Sequence, residues 1–203
     1  MEWIRKSMVV MALFCLVQGV YAQNAAQARK ILDKTAALIK GKGGATANFS
    51  MSGKYGTSSG TIAIKGNKFT ASTTQANVWY DGKTMWTYVK NTQEVNISNP
   101  TEAQQQSMNP YKFLTIYKNG FNLGMTTLSS GWKIHLTAAN QQRSIKEMYI
   151  TVDKNYYPKE IRMRQNNGWT TIKVSGFKAR SLSDSAFRFN AKDYPKAEVI
   201  DLR

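Results

Sequence analysis

Apolar residues alternate with polar ones along most of this chain, and a period of two is that of a β-strand. The alternation begins near Ala47 and recurs until Val174, interrupted by turn pairs such as Asp81-Gly82. The stretch from Gly53 to Gly60 is rich in glycine and serine and is interpreted as a turn region. The pattern predicts a mainly β fold of about ten to eleven antiparallel strands.

Two regions depart from this period. From Ala28 to Ile39 the apolar residues are three and four positions apart, which predicts one amphipathic helix before the sheet, ended by the glycines that begin at Gly41. Helix-start signals stand at Asn99-Pro100-Thr101 and again at Asn109-Pro110. These signals predict two short helices, over residues 101–107 and 110–118, and the fold class is therefore α+β.

A sheet of about ten strands has to curl, because large flat open sheets pack poorly. Its concave side has to be filled by its own side chains, by a helix or by a ligand. The few predicted helices do not suffice to cover that side. Methionine and aromatic residues at strand spacing suit an adaptable cavity, but they are more often part of an ordinary core, and composition alone favours the core.

The first 22 residues have the three parts of a secretory signal peptide. Arg5 and Lys6 are the positive start, Met8 to Val17 is an apolar run too short to span a bilayer, and small residues precede a cleavage site after Ala22. We predict that residues 1–22 are removed and that residues 23–203 form one domain. An uncleaved N-terminal anchor is the alternative.

Charge and cysteine content narrow the function classes. The chain carries +16 at pH 7, and removal of residues 1–22, which hold two cations and one acid, leaves +15. The charges are spread along the strands, which predicts a solvated basic surface, with transient docking on an anionic membrane surface as the alternative and no nucleic acid as partner. Cys15, the single cysteine, lies within the apolar run after Phe14, so we expect no lipid attachment, disulfide or thiolate site.

Groups suited to catalysis are scarce. His135 is the single histidine, on the strand phase opposite Ile134 and Leu136, and we expect it to face solvent. Glu147 and Glu160 leave a carboxylate pair for glycoside cleavage open as a distant alternative. We predict that the chain is not an enzyme and has no catalytic residue, cofactor or metal site.

Several segments resemble, in the same order, the periplasmic outer-membrane lipoprotein carrier family. The most specific is Asp81-Gly82-Lys83-Thr84-Met85-Trp86-Thr87-Tyr88, which is similar to that family's D-G-K-x-φ-W-x-Y, where φ is apolar. Weaker similarities cover nearly all of the mature chain, at Gly60 to Phe69, Asn109 to Leu114, Ile150 to Asp153, Tyr157 to Ile161, Phe187 to Phe189 and Val199 to Asp201.

The resemblance implies an unclosed antiparallel β-barrel, with an N-terminal helix and short lid helices over an apolar cavity. It implies a carrier in the periplasm of a Gram-negative bacterium, which accepts lipoprotein acyl chains from an inner-membrane lipoprotein-releasing transporter and gives them to an outer-membrane acceptor. We expect a monomer. The candidate lipid-binding residues are Phe49, Met51, Ile62, Ile64, Phe69, Val78, Met85, Trp86, Tyr88, Met108, Tyr111, Leu114, Tyr117, Met148, Ile150, Ile161 and Met163.

One departure from the family affects the lid, which we define as residues 99–118. Family members carry Arg-Pro after the strand that corresponds to Ile62–Lys65, and that Arg pairs with the lid, whereas Gly66-Asn67 stands here. The contact through Arg is therefore absent or moved. For Met85 to Val89 the pattern does not decide which alternate residues face inward. A periplasmic binding or scaffold module, or a carrier of another lipid with the same fold, are the alternative functions.

Overall fold

The computed structural model describes residues 24–54 and 56–203, excluding the side chains of Ala103, Gln106, Ser107 and Tyr111. The predicted signal segment, residues 1–22, lies outside the described residues. The first described element is helix α1, residues 24–41. Its buried stripe has the predicted spacing of three and four, and consists of Ala28, Ile31, Leu32, Thr35, Ala36 and Ile39. In the part of the chain that is described, no helix has the length and apolar character needed to cross a membrane.

In the part of the chain that is described, twelve strands follow the helix. They are β1 (Ala45–Gly53), β2 (Gly56–Lys65), β3 (Lys68–Thr73), β4 (Ala76–Tyr80), β5 (Met85–Val89), β6 (Glu94–Ser98), β7 (Phe121–Leu128), β8 (Gly131–Ala138), β9 (Glu147–Asp153), β10 (Pro158–Gln165), β11 (Gly168–Ala179) and β12 (Glu198–Asp201). They form one sheet in the order β12-β6-β5-β4-β3-β2-β1-β11-β10-β9-β8-β7. Neighbours are antiparallel, except that β12 runs parallel to β6. Within the described residues the end strands β12 and β7 do not pair, so the predicted unclosed barrel is confirmed.

The predicted turn region from Gly53 to Gly60 is wrong for its second part. Strand β2 already begins at Gly56, and Gly60 lies opposite Phe49 of β1. A Cβ atom on Gly60 would lie 1.9 Å from the carbonyl oxygen of Ser72, so glycine permits a close approach between β2 and β3 at this point. The small residues here serve strand pairing rather than a turn.

Two short helices lie between β6 and β7, where the sequence predicts them. They are α2 (Glu102–Met108) and α3 (Pro110–Thr115), followed by a 3-10 turn at Ile116–Lys118. A capping box begins α2: the Thr101 side chain accepts from the N–H of Gln104, and Gln104 Oε1 accepts from the N–H of Thr101 at 2.8 Å.

Helix α1 covers only one half of the inner face of the sheet. Asn24 donates to the carbonyl oxygen of Met125 on β7 (3.1 Å), Tyr117 donates to Asp33 (2.5 Å), and Lys34 donates to the Tyr156 hydroxyl after β9 (2.9 Å). These contacts fix α1 over β7, β8 and β9. The inward residues there have exposed fractions of 0–1%, and they are Ile134, Leu136, Met148, Ile150 and Val152.

The C-terminal segment crosses the outer face of the sheet. It contains 3-10 turns at Asp184–Phe187 and Ala191–Asp193. Asp184 pairs with Lys65 (2.9 Å) and Lys68 (3.1 Å), and Phe187 is fully buried. The segment thus packs on the side of β2–β4 that faces away from α1.

Candidate functional site

The half of the inner face that α1 leaves uncovered is a cavity of about 730 Å³, formed by β1–β5, β10 and β11. This volume lies within the ~300–1,000 Å³ typical of small-molecule sites. Among its lining residues that the structure describes, Lys54 is the one that carries a charge. The described residues also contain no group of His, Cys, Asp or Glu that could hold a metal ion. The surface therefore suits an apolar molecule.

Strand register brings the apolar side chains onto one face. Phe49 and Met51 of β1 lie opposite Val174 and Ile172 of β11. On the other side of β1, Ile62 of β2 begins a row of paired residues across the next three strands. The row continues through Ala71 of β3, Val78 of β4 and Thr87 of β5. Alternate residues of each strand share a face, so these rows form a continuous apolar wall.

The cavity is closed at one end and open at the other. At the closed end Ala45, Ile64 and Phe69 are buried. Toward the tips of the β1–β2 and β10–β11 hairpins the lining becomes exposed, and Met51 is 39% exposed. A long apolar chain could therefore enter between the hairpin tips.

The turn between β4 and β5 orients the most recognisable segment of the sequence. Burial alone would raise the pKa of Asp81, but the N–H groups of Thr84 and Lys83 and the Arg188 guanidinium outweigh burial and lower this pKa. Burial raises the pKa of Tyr80, whose hydroxyl donates to the carbonyl oxygen of Gly82 (2.8 Å). These contacts fix the direction in which β5 leaves the turn.

The fixed turn decides the phase of β5, which the sequence leaves open. Met85 and Thr87 line the cavity, whereas Trp86 and Tyr88 face the opposite side of the sheet. On that outer side Tyr88 packs on Tyr194 with ring centroids 4.5 Å apart. The outer aromatic residues of β4 and β5 are therefore partly covered by the C-terminal segment.

The lid is hydrogen-bonded to the turn between β2 and β3, at Asn67. Asn109, between α2 and α3, is fully buried, and its Nδ2 donates to the carbonyl oxygen of Asn67 at 2.7 Å. Nearby, Thr84 donates to the side chain of Asn99 at the start of the lid (3.1 Å). In this chain, neutral amide and hydroxyl groups therefore join the lid to the sheet.

The cavity brings together most of the candidate lipid-binding residues. Those among its lining residues are Phe49, Met51, Ile62, Ile64, Phe69, Val78, Met85, Met108, Leu114, Ile161 and Met163.

The other candidates do not line the cavity, and the structure places them as follows. Trp86 and Tyr88 are on the outer face because β5 has the opposite phase. Met148 and Ile150 are on the inner face, but they are fully buried in the core cluster to which Leu32 of α1 also belongs. Tyr117 is buried and hydrogen-bonded to Asp33, and the side chain of Tyr111 lies outside the described residues.

The cavity also contains apolar residues that the sequence did not single out. Ile172 and Val174 belong to a recognisable strand, and their position opposite Met51 and Phe49 would have identified them had the pairing of β1 with β11 been known. Phe177 follows a bulge at Gly176, and local alternation therefore assigns it to the wrong face.

Fold and cavity together define a class of protein: a curled, unclosed sheet that binds an apolar molecule on its concave side. The chain matches the model of the family described as outer membrane lipoprotein carrier protein LolA over residues 18–167. It therefore belongs to the LolA family, which is a family of carrier or binding proteins rather than enzymes.

Comparison with solved structures finds similar chains, and the first of those named here has the same fold as this chain. An uncharacterised conserved protein from Thermus thermophilus is similar with a TM-score of 0.58 and 15% sequence identity, over 86% of this chain and 99% of that one. A LolA superfamily protein from Nitrosomonas europaea has a TM-score of 0.44 and 11% identity, over 80% and 97% of the two chains. The lipoprotein LppX from Mycobacterium tuberculosis has a TM-score of 0.42 and 10% identity, over 81% and 96%. A search of curated proteins found no match.

Proposed function

We propose that this chain carries the acyl chains of lipoproteins in its cavity across the periplasm of a Gram-negative bacterium. It takes them from an inner-membrane lipoprotein-releasing transporter and delivers them to an outer-membrane acceptor. The observation that supports this most is an apolar wall left without a cover: Ile62, Ile172 and Val174 are only half-buried, although they share a sheet face with the fully buried core. A carrier needs such a surface, because its cargo supplies the missing cover.

The energetics of cargo explain the need for a cavity. Exposure of a 16-carbon acyl chain to water costs on the order of 12 kcal/mol, at about 0.8 kcal/mol per methylene. Release to a membrane requires that the cavity does not hold the chain much more tightly than the bilayer does. The flexible side chains of Met51, Met85 and Met163 adapt to irregular apolar shapes, which supports burial without a tight and specific fit.

The lid is the proposed moving part. Met108 of α2 and Leu114 of α3 line the cavity, so a shift of these helices changes its volume. The hydrogen bond from Asn109 to Asn67 holds the lid in the observed position. A disulfide that clamps residues 99–118 to the sheet should block uptake or release of cargo, and unchanged transfer in the clamped protein would rule out lid movement.

Release of lipoproteins from inner-membrane vesicles by the purified mature chain tests the function directly. The informative variant is Ile172→Glu. In the empty cavity the new carboxylate remains hydrated because Ile172 is half-buried, whereas bound cargo would bury it at a cost of several kcal/mol. Release should therefore be lost while the fold is retained.

The matched control is Thr171→Glu, which adds the same charge to the neighbouring residue on the outer face of β11. This variant should release lipoproteins as the unmodified chain does. Equal activity of both variants would show that the cavity does not take up the acyl chains. Mass spectrometry of lipid that co-purifies with the unmodified chain would then reveal whether a different lipid occupies the cavity.

A further inference from the structure

A second depression lies on the outer face of the sheet, directly behind the cavity. It is a groove of about 470 Å³ across β11, β1, β2 and β3. Its lining includes Thr46, Asn48, Thr61, Ser72, Lys178 and Arg180. In contrast to the cavity, its outward side chains are mostly polar, and its lining contains no acid.

A β-bulge creates the basic end of this groove. Thr46 pairs with Lys178, but Asn48 pairs with Ser175, so β11 has one residue more than β1 between these pairs. Gly176 provides the extra residue with a φ of +60°, which favours glycine. The bulge reverses the alternation of β11. Without it, Lys178 would continue the inward phase of Ile172 and Val174.

The bulge therefore serves both faces at once. Phe177 turns into the cavity, while Lys178 lies in the outer groove with Arg180, which stands just beyond the strand. The N–H of Arg180 donates to the carbonyl oxygen of Gly44 (2.9 Å), which holds the backbone of this residue beside β1. Two cations are thus built into one end of the groove.

These cations are available to an anion. Within the described part of the chain, Lys178 and Arg180 form no ion pair with an acidic side chain. Lys65 and Lys68 stand on the same face of β2 and β3, and they share a single acid, Asp184. The local charge is therefore strongly positive, and it favours a ligand with negative charge.

The rest of the groove offers hydrogen-bonding groups beside the cations. Asn48, Thr61 and Ser72 lie in one row across β1, β2 and β3. Ser72 donates to Asn77 (2.7 Å), whereas the side chains of Asn48 and Thr61 make no hydrogen bond within the described residues. Such a row suits the hydroxyl groups of a ligand.

We propose that the outer groove binds a phosphate group carried on a polyol, as in a glycerol phosphate headgroup. A guanidinium donates two parallel hydrogen bonds to a phosphate, and a lysine ammonium adds a point charge. The amide and hydroxyl row then contacts the polyol. This site is separate from the acyl cavity, although Thr46, Ala47 and Ile62 contribute to both surfaces.

The test compares two variants with the same net charge. Lys178→Gln/Arg180→Gln removes the cations of the groove, and Lys192→Gln/Lys196→Gln removes two exposed cations of the C-terminal segment. Titration with glycerol 1-phosphate, followed by backbone amide NMR, should show saturable shifts around Thr61, Ser72 and Gly176 in the unmodified chain and in the control. The groove variant should bind about tenfold more weakly or worse.

The polyol part of the proposal has its own test. Thr61→Val/Ser72→Ala replaces two hydroxyls with apolar groups. The unmodified chain should prefer glycerol 1-phosphate over inorganic phosphate, and this variant should lose that preference while it still binds phosphate. An unchanged preference would overturn the role of the row.

Vesicles distinguish the source of the phosphate. If phosphatidylglycerol vesicles, but not phosphatidylcholine vesicles, sediment the chain and the groove variant loses this binding, the ligand is a lipid headgroup. Binding of soluble glycerol 1-phosphate alone indicates a free polyol phosphate. Absence of saturable binding in both arms, or equal binding by the groove variant and its control, would overturn the proposal. Uptake of a fluorescent fatty acid should be the same in the groove variant and in its control, so the outcome of this test does not depend on the function of the cavity.

Discussion

The two halves of the inner face have similar side chains and opposite surroundings. On β8 and β9, residues such as Ile134 and Ile150 lie beneath helix α1 and are fully buried. On β2 and β11, Ile62 and Ile172 point to the same side of the same sheet and remain half-buried at the wall of the cavity. The difference lies in the cover and not in the residues. One half obtains its cover from the chain, and the other is left for a ligand.

This comparison explains why residue type alone does not reveal function in such a fold. Truncation of a buried isoleucine to alanine removes three methylene or methyl groups and leaves a cavity. The free energy of unfolding therefore falls. A half-buried isoleucine at the wall of an existing cavity contributes less to stability and is free to contribute to binding. The following predictions separate these two roles, from the largest expected effect to the smallest.

The largest effect is expected from a matched pair of truncations. Ile150→Ala should lower the free energy of unfolding by about 2–5 kcal/mol, since Ile150 is fully buried beneath α1. Ile172→Ala should cost less than about 1 kcal/mol in the cargo-free protein, because its side chain is only half-buried. Urea unfolding measures both. Equal costs would show that the two halves are packed alike.

An intermediate effect is expected where the lid meets the sheet. Asn109→Ala removes the hydrogen bond that the buried Asn109 side chain donates to the carbonyl oxygen of Asn67, and should cost about 1–3 kcal/mol. Cargo exchange should accelerate as well, because the lid loses a contact with the β2–β3 turn. Stopped-flow release of a fluorescent fatty acid measures the exchange rate. A slower or unchanged rate in the destabilised variant would argue against control of the cavity by the lid.

A smaller effect is expected at the contact that fastens α1 over its half of the sheet. Tyr156→Phe removes the hydroxyl that accepts from Lys34 but keeps the ring, which stacks on Trp132 with centroids 5.2 Å apart. Because Lys34 is exposed, the loss should be about 0.2–1 kcal/mol by urea unfolding. A loss of several kcal/mol would mean that this contact, rather than the apolar stripe, holds the helix.

The smallest effect is expected from acid at the turn that orients β5. The pKa of Asp81 is lowered in the folded protein, so its contribution is present above the unfolded value near 3.8 and disappears as the pH falls through the lower folded value. The unmodified chain should therefore lose more stability between pH 5 and pH 3 than Asp81→Asn does. Urea midpoints at both pH values measure this difference. An equal loss of stability in the unmodified chain and in Asp81→Asn would contradict the assigned role of the carboxylate.

The sequence predicted what depends on local pattern. Alternation identified Phe49, Met51 and Ile62 as inward residues, and capping signals identified α2 and α3, because both features are set by a few neighbouring residues. The phase of β5 could not be predicted, since Met85 and Trp86 are both apolar and the turn at Asp81 decides between them.

Features that depend on contacts between distant parts of the chain could not be predicted from the sequence. Met148 and Ile150 follow the same alternation as the wall of the cavity, but helix α1, more than a hundred residues away, covers them. The face of Phe177 depends on the bulge at Gly176, which is recognisable only when β1 and β11 are paired. The candidate residues were therefore inward-facing in most cases, while their distribution between core and cavity needed the tertiary structure.

Contacts between methionine methyl groups and bound cargo test the central claim most directly. A protein of residues 23–203, labelled with ¹³C at its methionine methyls and loaded with a diacylated lipopeptide, would be examined for intermolecular nuclear Overhauser effects from the acyl methylenes. The account predicts effects at Met51, Met85 and Met163, which line the cavity, and none at Met148, which α1 covers. Effects at Met148, or their absence at Met51, Met85 and Met163 alike in the loaded protein, would contradict it.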